Sequence, residues 1–396
     1  MRPDPTRRKF IATTGTAAGL GLAGCVGGDD DGDGGDDGDG GDDGDNGADG
    51  TRTYTVGHGE YEQEVSAADF PDELFIYAVQ TGWSNWDAVM AAFEDEYGVP
   101  LRDDQRTSGE ALSNIRANAG NPTHSAYNGF YPVGLEVWQD EFTTDYKPAG
   151  WDRVPDEFKT DDGHVTATRQ MTVAINYRQD VYEERGLDEP ESWEDLKHPD
   201  IAQDLAINVP GAGAGLNAML SINHAYGGDL DNLDPLFEYL EEIAEHGAEH
   251  RRNLDRQFTG GEISTYAEFD FGGLSTKYLG DDIAEEDVGV MIPTGPDGGE
   301  GAASAPYGYA LLEGAPNPGA AKLFMDFVLS LDVQQLFFDG FVRPIRADEL
   351  EAPDEFPPQE MYDTASFEID QLELLEKQQD IVAEIIERSP LPGVEA

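Results

Sequence analysis

The chain has 396 residues, more than one ordinary compact domain needs and suited to two domains or one large bilobed unit. Acidic residues outnumber basic ones 82 to 24, and the net charge of −58 argues against nucleic acid or an anionic membrane surface as a partner, since both carry the same sign. The acids run the whole length and lysine is scarce, so the charge reads as a hydrated surface suited to high salt rather than as a mark of the ligand.

Residues 6–25 read "TRRKFIATTGTAAGLGLAGC", in which Arg7 and Arg8 precede a short apolar run that ends Leu22-Ala23-Gly24-Cys25. A charged start followed by so short and glycine-rich a run predicts an export signal rather than a spanning helix. The paired arginines resemble a twin-arginine signal, and Leu-Ala-Gly-Cys resembles a lipobox that would leave Cys25 as a lipid-modified first residue. Cys25 is the single cysteine, which excludes an intrachain disulfide and a cysteine-based metal site. Residues 27–50 then hold eleven Asp and eleven Gly with Ala48 as the only apolar side chain, a composition that cannot bury enough surface to fold. Residues 26–52 therefore read as an acidic tether, about 27 Å end to end before charge repulsion extends it.

From about residue 53 the pattern is globular. "LFIYAV" (74–79) predicts a buried strand, and "SNWDAVMAAFEDEYG" (84–98) a helix that Ser84 or Asn85 can cap. "SGEALSNIRANAGNP" (108–122) predicts a second helix, and "HSAYNGFYPVG" (124–134) a glycine-containing loop. "VTATRQMTVAINYRQD" (165–180) is rich in β-branched residues and reads as extended. "ESWEDLKHPD" (191–200) is a short turn-helix, and 205–228 is a strand, a Gly-rich loop and a helix. A helix over 232–247, strands over 287–296 and 305–314, one or two helices over 318–340 and a periodic helix over 369–388 complete the body. Strands alternating with helices predict an α/β layered fold.

Four stretches carry a family resemblance: "LFIYAVQTGW", "SGEALSNIRANAGNP", "ESWEDLKHPD" and "YGYALLEGAPNPGAAKLFMDFVLS". In order and spacing they resemble extracellular solute-binding proteins of ABC importers, in the cluster that takes ferric iron, polyamines, phosphonates and thiamine. The likeness covers roughly residues 72–345. It implies a type II periplasmic-binding-protein-like fold, with the ligand cleft between two lobes joined by crossing hinge strands. The crossings fall by position near Thr166–Met171 and Pro293–Pro306. Lobe one would hold 53–166 with 300–340, and lobe two 167–299 with 341–396, including the C-terminal helix. The expected partners are a small-molecule ligand and an ABC permease, with membrane attachment through Cys25 on the outer face of the cell membrane. The body is expected to be a monomer without a cofactor or resident metal.

Candidate ligand-binding residues lie where strands end in loops. They are Thr81 and Trp83 after the first strand, with Trp83 suited to stacking or to covering a cation, and Asn128 and Tyr131 in the 124–134 loop. Gly213 lies in "PGAGAGLNAM", where glycines either expose N–H groups to an anion or serve a tight turn. In "STYAEFDFGG" (264–273), period two puts Tyr266, Glu268 and Asp270 on one face and Ala267, Phe269 and Phe271 on the other. A polar face toward the cleft would offer carboxylates to an amine; a half-buried strand with a solvated acidic face gives the same alternation. The resemblance sets this stretch where ferric binders carry two adjacent tyrosines, a pair this chain lacks, and their His and Glu positions are also unfilled. Tyr307 and Tyr309 flank Gly308 near the second crossing, one suited to contact the ligand and one to brace the hinge, and Arg343 reads as a surface ion-pairing residue, with a ligand carboxylate or phosphonate as its alternative partner.

These features favour a polyamine or thiamine-like cation as ligand, with a phosphonate or a ferric chelate as the alternative. No Ser nucleophile elbow or His-Glu-x-x-His motif is present, so a lipid-anchored hydrolase is a remote alternative and the chain is expected not to be an enzyme.

Overall fold

The computed structural model describes residues 52–78 and 84–394. The export signal, Cys25, nearly all of the tether, Thr81 and Trp83 lie outside the described residues. Among the described residues, no helix is long and apolar enough to cross a membrane.

The first half of the body is a hairpin of β1 (Thr53–Val56) and β2 (Gln63–Ser66), followed by three strand–helix units. These are β3 (Leu74–Ala78) with α1 (Trp86–Tyr97), β4 (Leu101–Gln105) with α2 (Ser108–Asn118), and β5 (Ala126–Phe130) with α3 (Tyr131–Gln139). Leu74, Ile76 and Ala78 alternate into one core with Trp86 and Phe93, while Tyr77 enters the core on the opposite face of the sheet. Thr107 and Glu110 close a capping box that starts α2. The stretch expected as a loop at 124–134 is instead β5 running straight into α3. Its strand is buried on both faces, so it shows no alternation to read.

The long strand β6 (Thr166–Arg178) leads to the second half. There follow α4 (Gln179–Arg185), α5 (Pro199–Ala202), β7 (Leu205–Asn208), α6 (Gly213–Ala225), α7 (Asp234–Ala244) and β8 (Glu249–Arg251). Next come α8 (Leu254–Thr259), β9 (Thr265–Phe269), α9 (Asp270–Tyr278) and β10 (Val288–Met291). β11 (Ala302–Leu311) returns to the first half, where α10 (Pro318–Val328) and α11 (Leu331–Asp339) pack. The chain ends with β12 (Arg343–Pro344), α12 (Gln359–Ala365), β13 (Ser366–Glu368) and α13 (Gln371–Arg388).

The sheet order is β4-β3-β5-β11-β6-β9-β7-β8. β6 is shared: residues 166–172 pair with β11, and residues 173–177 pair with β9. β11 in turn pairs through Tyr307–Leu311 with β5. Two strands thus connect two halves, each with its own core: one around Trp86 and Phe324, the other around Trp193, Leu240 and Phe269. α13 spans both, because Leu374, Ile381 and Ile385 enter the second core while Leu375 packs against the cluster around Tyr77, Leu112 and Leu135 on the other face of the first half's sheet.

Candidate functional site

Parallel strands in each half lead into helices: β4 and β5 into α2 and α3, and β7, β8 and β9 into α6, α8 and α9, with β5 and β9 running on without a loop. Helix N-termini and strand ends of this kind gather polar groups at one edge. Between the halves the shared strands contribute Arg169 from β6 and Tyr307 from β11. Their register slips by one residue between Tyr307 and Gly308, a bulge of the sort that re-aims a neighbouring side chain.

Arg169 is 1% exposed. Its Nη1 donates to Asn128 Oδ1 at 3.3 Å and to Thr168 Oγ1 at 3.2 Å. The guanidinium lies 5.1 Å from the Tyr307 ring centroid and 5.3 Å from those of Trp86 and Phe337. Burial pulls its pKa down to about 10, which leaves it charged at neutral pH. Phe130, at the end of β5, meets Tyr307 at 5.7 Å, and Phe130, Tyr307 and Phe271 all pack against the core of the second half.

Among the described residues, several buried polar groups of the first half lack partners, one of them beside Arg169. Asn128 is fully buried and its Nδ2 has no hydrogen-bond partner, nor does the buried Oγ of Ser84. Ser84 and Asn85, at the entrance to α1, have φ of 59° and 54°. Two successive left-handed residues other than glycine store strain, which is kept mainly at functional sites. Neither side chain caps α1 as expected; Asn85 Nδ2 instead donates to Leu336 O at 2.9 Å.

The stretch 264–273 is arranged differently from its alternation. β9 ends at Phe269, and Asp270 is the first residue of α9. Ala267 and Phe269 do face the core, but Tyr266 is buried as well, among Leu254, Phe258 and Ile263, with its hydroxyl donating to Asp255 at 3.1 Å. Helices α8 and α9 cover the face expected to meet a cleft. Glu268 keeps partial exposure, and burial, reinforced by the Asp255 charge, pushes its carboxyl up to about 8. Asp270 is 2% exposed and already takes three donors: Thr172 N at 3.1 Å, Phe271 N at 2.9 Å and the Tyr362 hydroxyl at 2.8 Å. Asp270 is therefore an internal tie.

Tyr131 is likewise buried, as the first residue of α3, with its ring against β11 where Gly308 leaves room for it. Gly213 starts α6 and lines a cavity of about 340 Å³ shared with Gln378, Val382 and Ile386 of α13. In that loop the glycine that geometry demands is Gly215, where a Cβ would stand 2.3 Å from Val209 O. Two important residues, Arg169 and Tyr362, were not singled out by the sequence, and neither was the burial of Arg343. Arg343 is 7% exposed, stacks 4.6 Å from the Tyr362 centroid and donates to Gln359 at 2.7 Å, so it is not a surface ion-pairing residue.

Comparison with known proteins gives the frame. Residues 133–369 match the family described as bacterial extracellular solute-binding proteins. An uncharacterised protein of Haemophilus influenzae is 23% identical over 258 residues, which is 62% of this chain and 69% of that protein. The periplasmic binding protein AfuA of Actinobacillus pleuropneumoniae, bound to exogenous fructose 6-phosphate, superposes with a TM-score of 0.65 at 18% identity, over 81% of this chain and 99% of that one. Iron-bound HitA of Pseudomonas aeruginosa superposes with a TM-score of 0.63 at 18% identity, over 78% and 99%. The fold is thus the two-lobed type II periplasmic-binding architecture, and β6 and β11 are its crossing strands.

Proposed function

The chain belongs to the bacterial extracellular solute-binding protein family, and from that premise we propose that it captures a small organic anion between its lobes outside the membrane and hands it to an ABC permease. In this reading lobe one is 53–166 with 300–340, lobe two is the remainder of the body, and Cys25 carries the lipid that holds the tethered monomer at the membrane. The acidic surface then serves solubility at high salt.

The observation that carries the ligand class is Arg169. A guanidinium held beneath Tyr307 and beside the unfilled Asn128 amide sets a fixed positive charge at the lobe junction, suited to a phosphate, phosphonate or carboxylate group. The carboxylates that favoured a cation fit that role poorly. Asp270 has its oxygens taken by three donors, and Glu268, with a pKa of about 8, is mostly protonated at neutral pH and draws an amine weakly. Sugar phosphate in AfuA and iron in HitA are ligands that this fold holds elsewhere. An iron reading here takes the metal as a chelate, since among the described residues no three His, Cys, Asp or Glu side chains converge on a metal site.

The test is thermal unfolding in molar salt with fructose 6-phosphate, 2-aminoethylphosphonate, ferric citrate, spermidine and thiamine. A ligand at 100 times its Kd stabilises by about 2.7 kcal/mol, a shift of a few degrees. The expected result is a shift with one of the anions, absent in Arg169→Gln. A shift with spermidine or thiamine alone would refute the anion reading.

A further inference from the structure

Asp270, the residue at the heart of the stretch that looked most like a binding wall, sits between three elements of different origin. Its Oδ1 accepts from Thr172 N on the crossing strand β6 and from Phe271 N at the start of α9, and its Oδ2 accepts from Tyr362 of α12. A carboxylate at the first residue of a helix also complements the helix dipole. Tyr362 is 4% exposed and packs with Ala174, Ile292 and Ala302, so its hydroxyl has little freedom to find another partner.

The contacts continue past Tyr362. Arg343 lies over its ring, and Arg343 and Pro344 form β12, which pairs with Gln170 and Arg169 of β6. The crossing segment 169–172 is therefore gripped twice: by β12 at its first two residues and by Asp270 at its last, with Tyr362 joining the two grips. That segment carries Arg169. Phe271, next to Asp270 on α9, packs against the same core of the second half as Phe130 and Tyr307.

We propose that Asp270 and Tyr362 are positioning residues for ligand capture, locking the start of α9 to the crossing strand so that the lobe angle and the Arg169-bearing segment stay fixed. They act without touching the ligand. A closed, ligand-gripping form is favoured only by as much as the difference in free energy between the open and closed arrangements. A buried charge-assisted tie at the hinge sets part of that difference. The lock deepens the anion-binding reading and rests on it for its consequence in affinity, whereas its effect on lobe geometry is independent of any ligand.

The experiment uses the full chain with Cys25→Ser and nitroxide labels on Glu94→Cys in α1 and Glu241→Cys in α7, both exposed positions, one on each lobe. Double electron–electron resonance without ligand reads the interlobe distance, and calorimetric titration with the anion that stabilises the parent reads affinity. Tyr362→Phe keeps volume and removes one hydroxyl, so it tests the lock even where Asp270→Asn folds poorly. The expected result is a shifted or broadened interlobe distance for Tyr362→Phe, and affinity about tenfold weaker through faster dissociation, the scale of one hydrogen bond to a charged group. Rescue by Tyr362→His, which restores a donor, supports the tie itself. An interlobe distance identical to the parent's in both variants overturns the proposal, including the case in which stability falls, because a plain brace would lose stability without moving the lobes. A changed distance together with no anion binding to the parent would sustain the lock and refute the anion reading, so the two failures stay separate.

Discussion

Asp326 in lobe one and Asp270 in lobe two have the same local chemistry. Asp326 accepts from Gly57 N at 2.8 Å, Ala149 N at 3.0 Å and the Tyr146 hydroxyl at 2.7 Å. Asp270 also takes two backbone N–H groups and one tyrosine hydroxyl. Burial raises both carboxyls, and the donors oppose it in both. What differs is what they join. The Asp326 ligatures run from α10 to the turn of the β1–β2 hairpin and to the loop after α3, all within one lobe. Those of Asp270 run from lobe two to the strand that crosses between lobes. A donor count shows that a buried carboxylate is satisfied; the elements that supply the donors show whether it controls stability or geometry.

Substitutions can break or sharpen this contrast. Asp326→Ala strands three donors and is expected to lower the unfolding free energy by about 3 kcal/mol while leaving ligand affinity unchanged, as read by chemical unfolding beside titration. A loss of affinity there would erase the distinction between the two aspartates. Gly215→Ala perturbs the turn from β7 into α6: its Cβ would meet Val209 O at 2.3 Å and Asn208 O at 2.6 Å, and overpacking of that kind costs about 2 kcal/mol. The melting temperature should fall with the interlobe distance unaltered. Tyr146→Phe, the counterpart of Tyr362→Phe, should cost about 1 kcal/mol of stability and move neither the lobes nor the affinity.

A further effect is a pH dependence. The Asp270 carboxyl titrates near 6 when folded, against about 4 in an unfolded chain. The folded state then holds its proton over a window in which the unfolded state has lost it. Stability from this group is accordingly full below about pH 4 and declines as pH rises toward 6, the reverse of an ion-paired carboxylate. Asp270→Asn, which cannot titrate, should gain on the parent across that window and hold a constant difference above it. Parallel unfolding curves for the two proteins from pH 4 to 7 would place the titration elsewhere.

The regular parts of this fold were legible because their patterns are local. Leu74, Ile76 and Ala78, and the stripe of α1, announce a buried strand and an amphipathic helix, and the β-branched run at 165–180 announces the long strand β6. The site was less legible for physical reasons. A lone arginine in "VTATRQMTV" reads as solvent-facing, and only two lobes folding about β6 bury it. Asp270 looks like one more tooth of an alternating strand because nothing in "EFDFGG" marks the change to helix; Gly273 is needed there since a Cβ would stand 1.8 Å from Asn176 Oδ1. The partner that defines Asp270 lies 92 residues away. The β1–β2 hairpin escaped notice for a similar reason, as its burial depends on α10, more than 250 residues later.

The most direct test sets Arg169→Gln beside Asp270→Asn in one calorimetric series with the ligand that stabilises the parent protein. If the guanidinium holds the ligand and the carboxylate only holds the hinge, Arg169→Gln should lose about a hundredfold in affinity, near 2.7 kcal/mol, and Asp270→Asn about tenfold. The opposite ranking, with Asp270→Asn abolishing binding and Arg169→Gln leaving it intact, would contradict the account and return a cationic solute to the cleft.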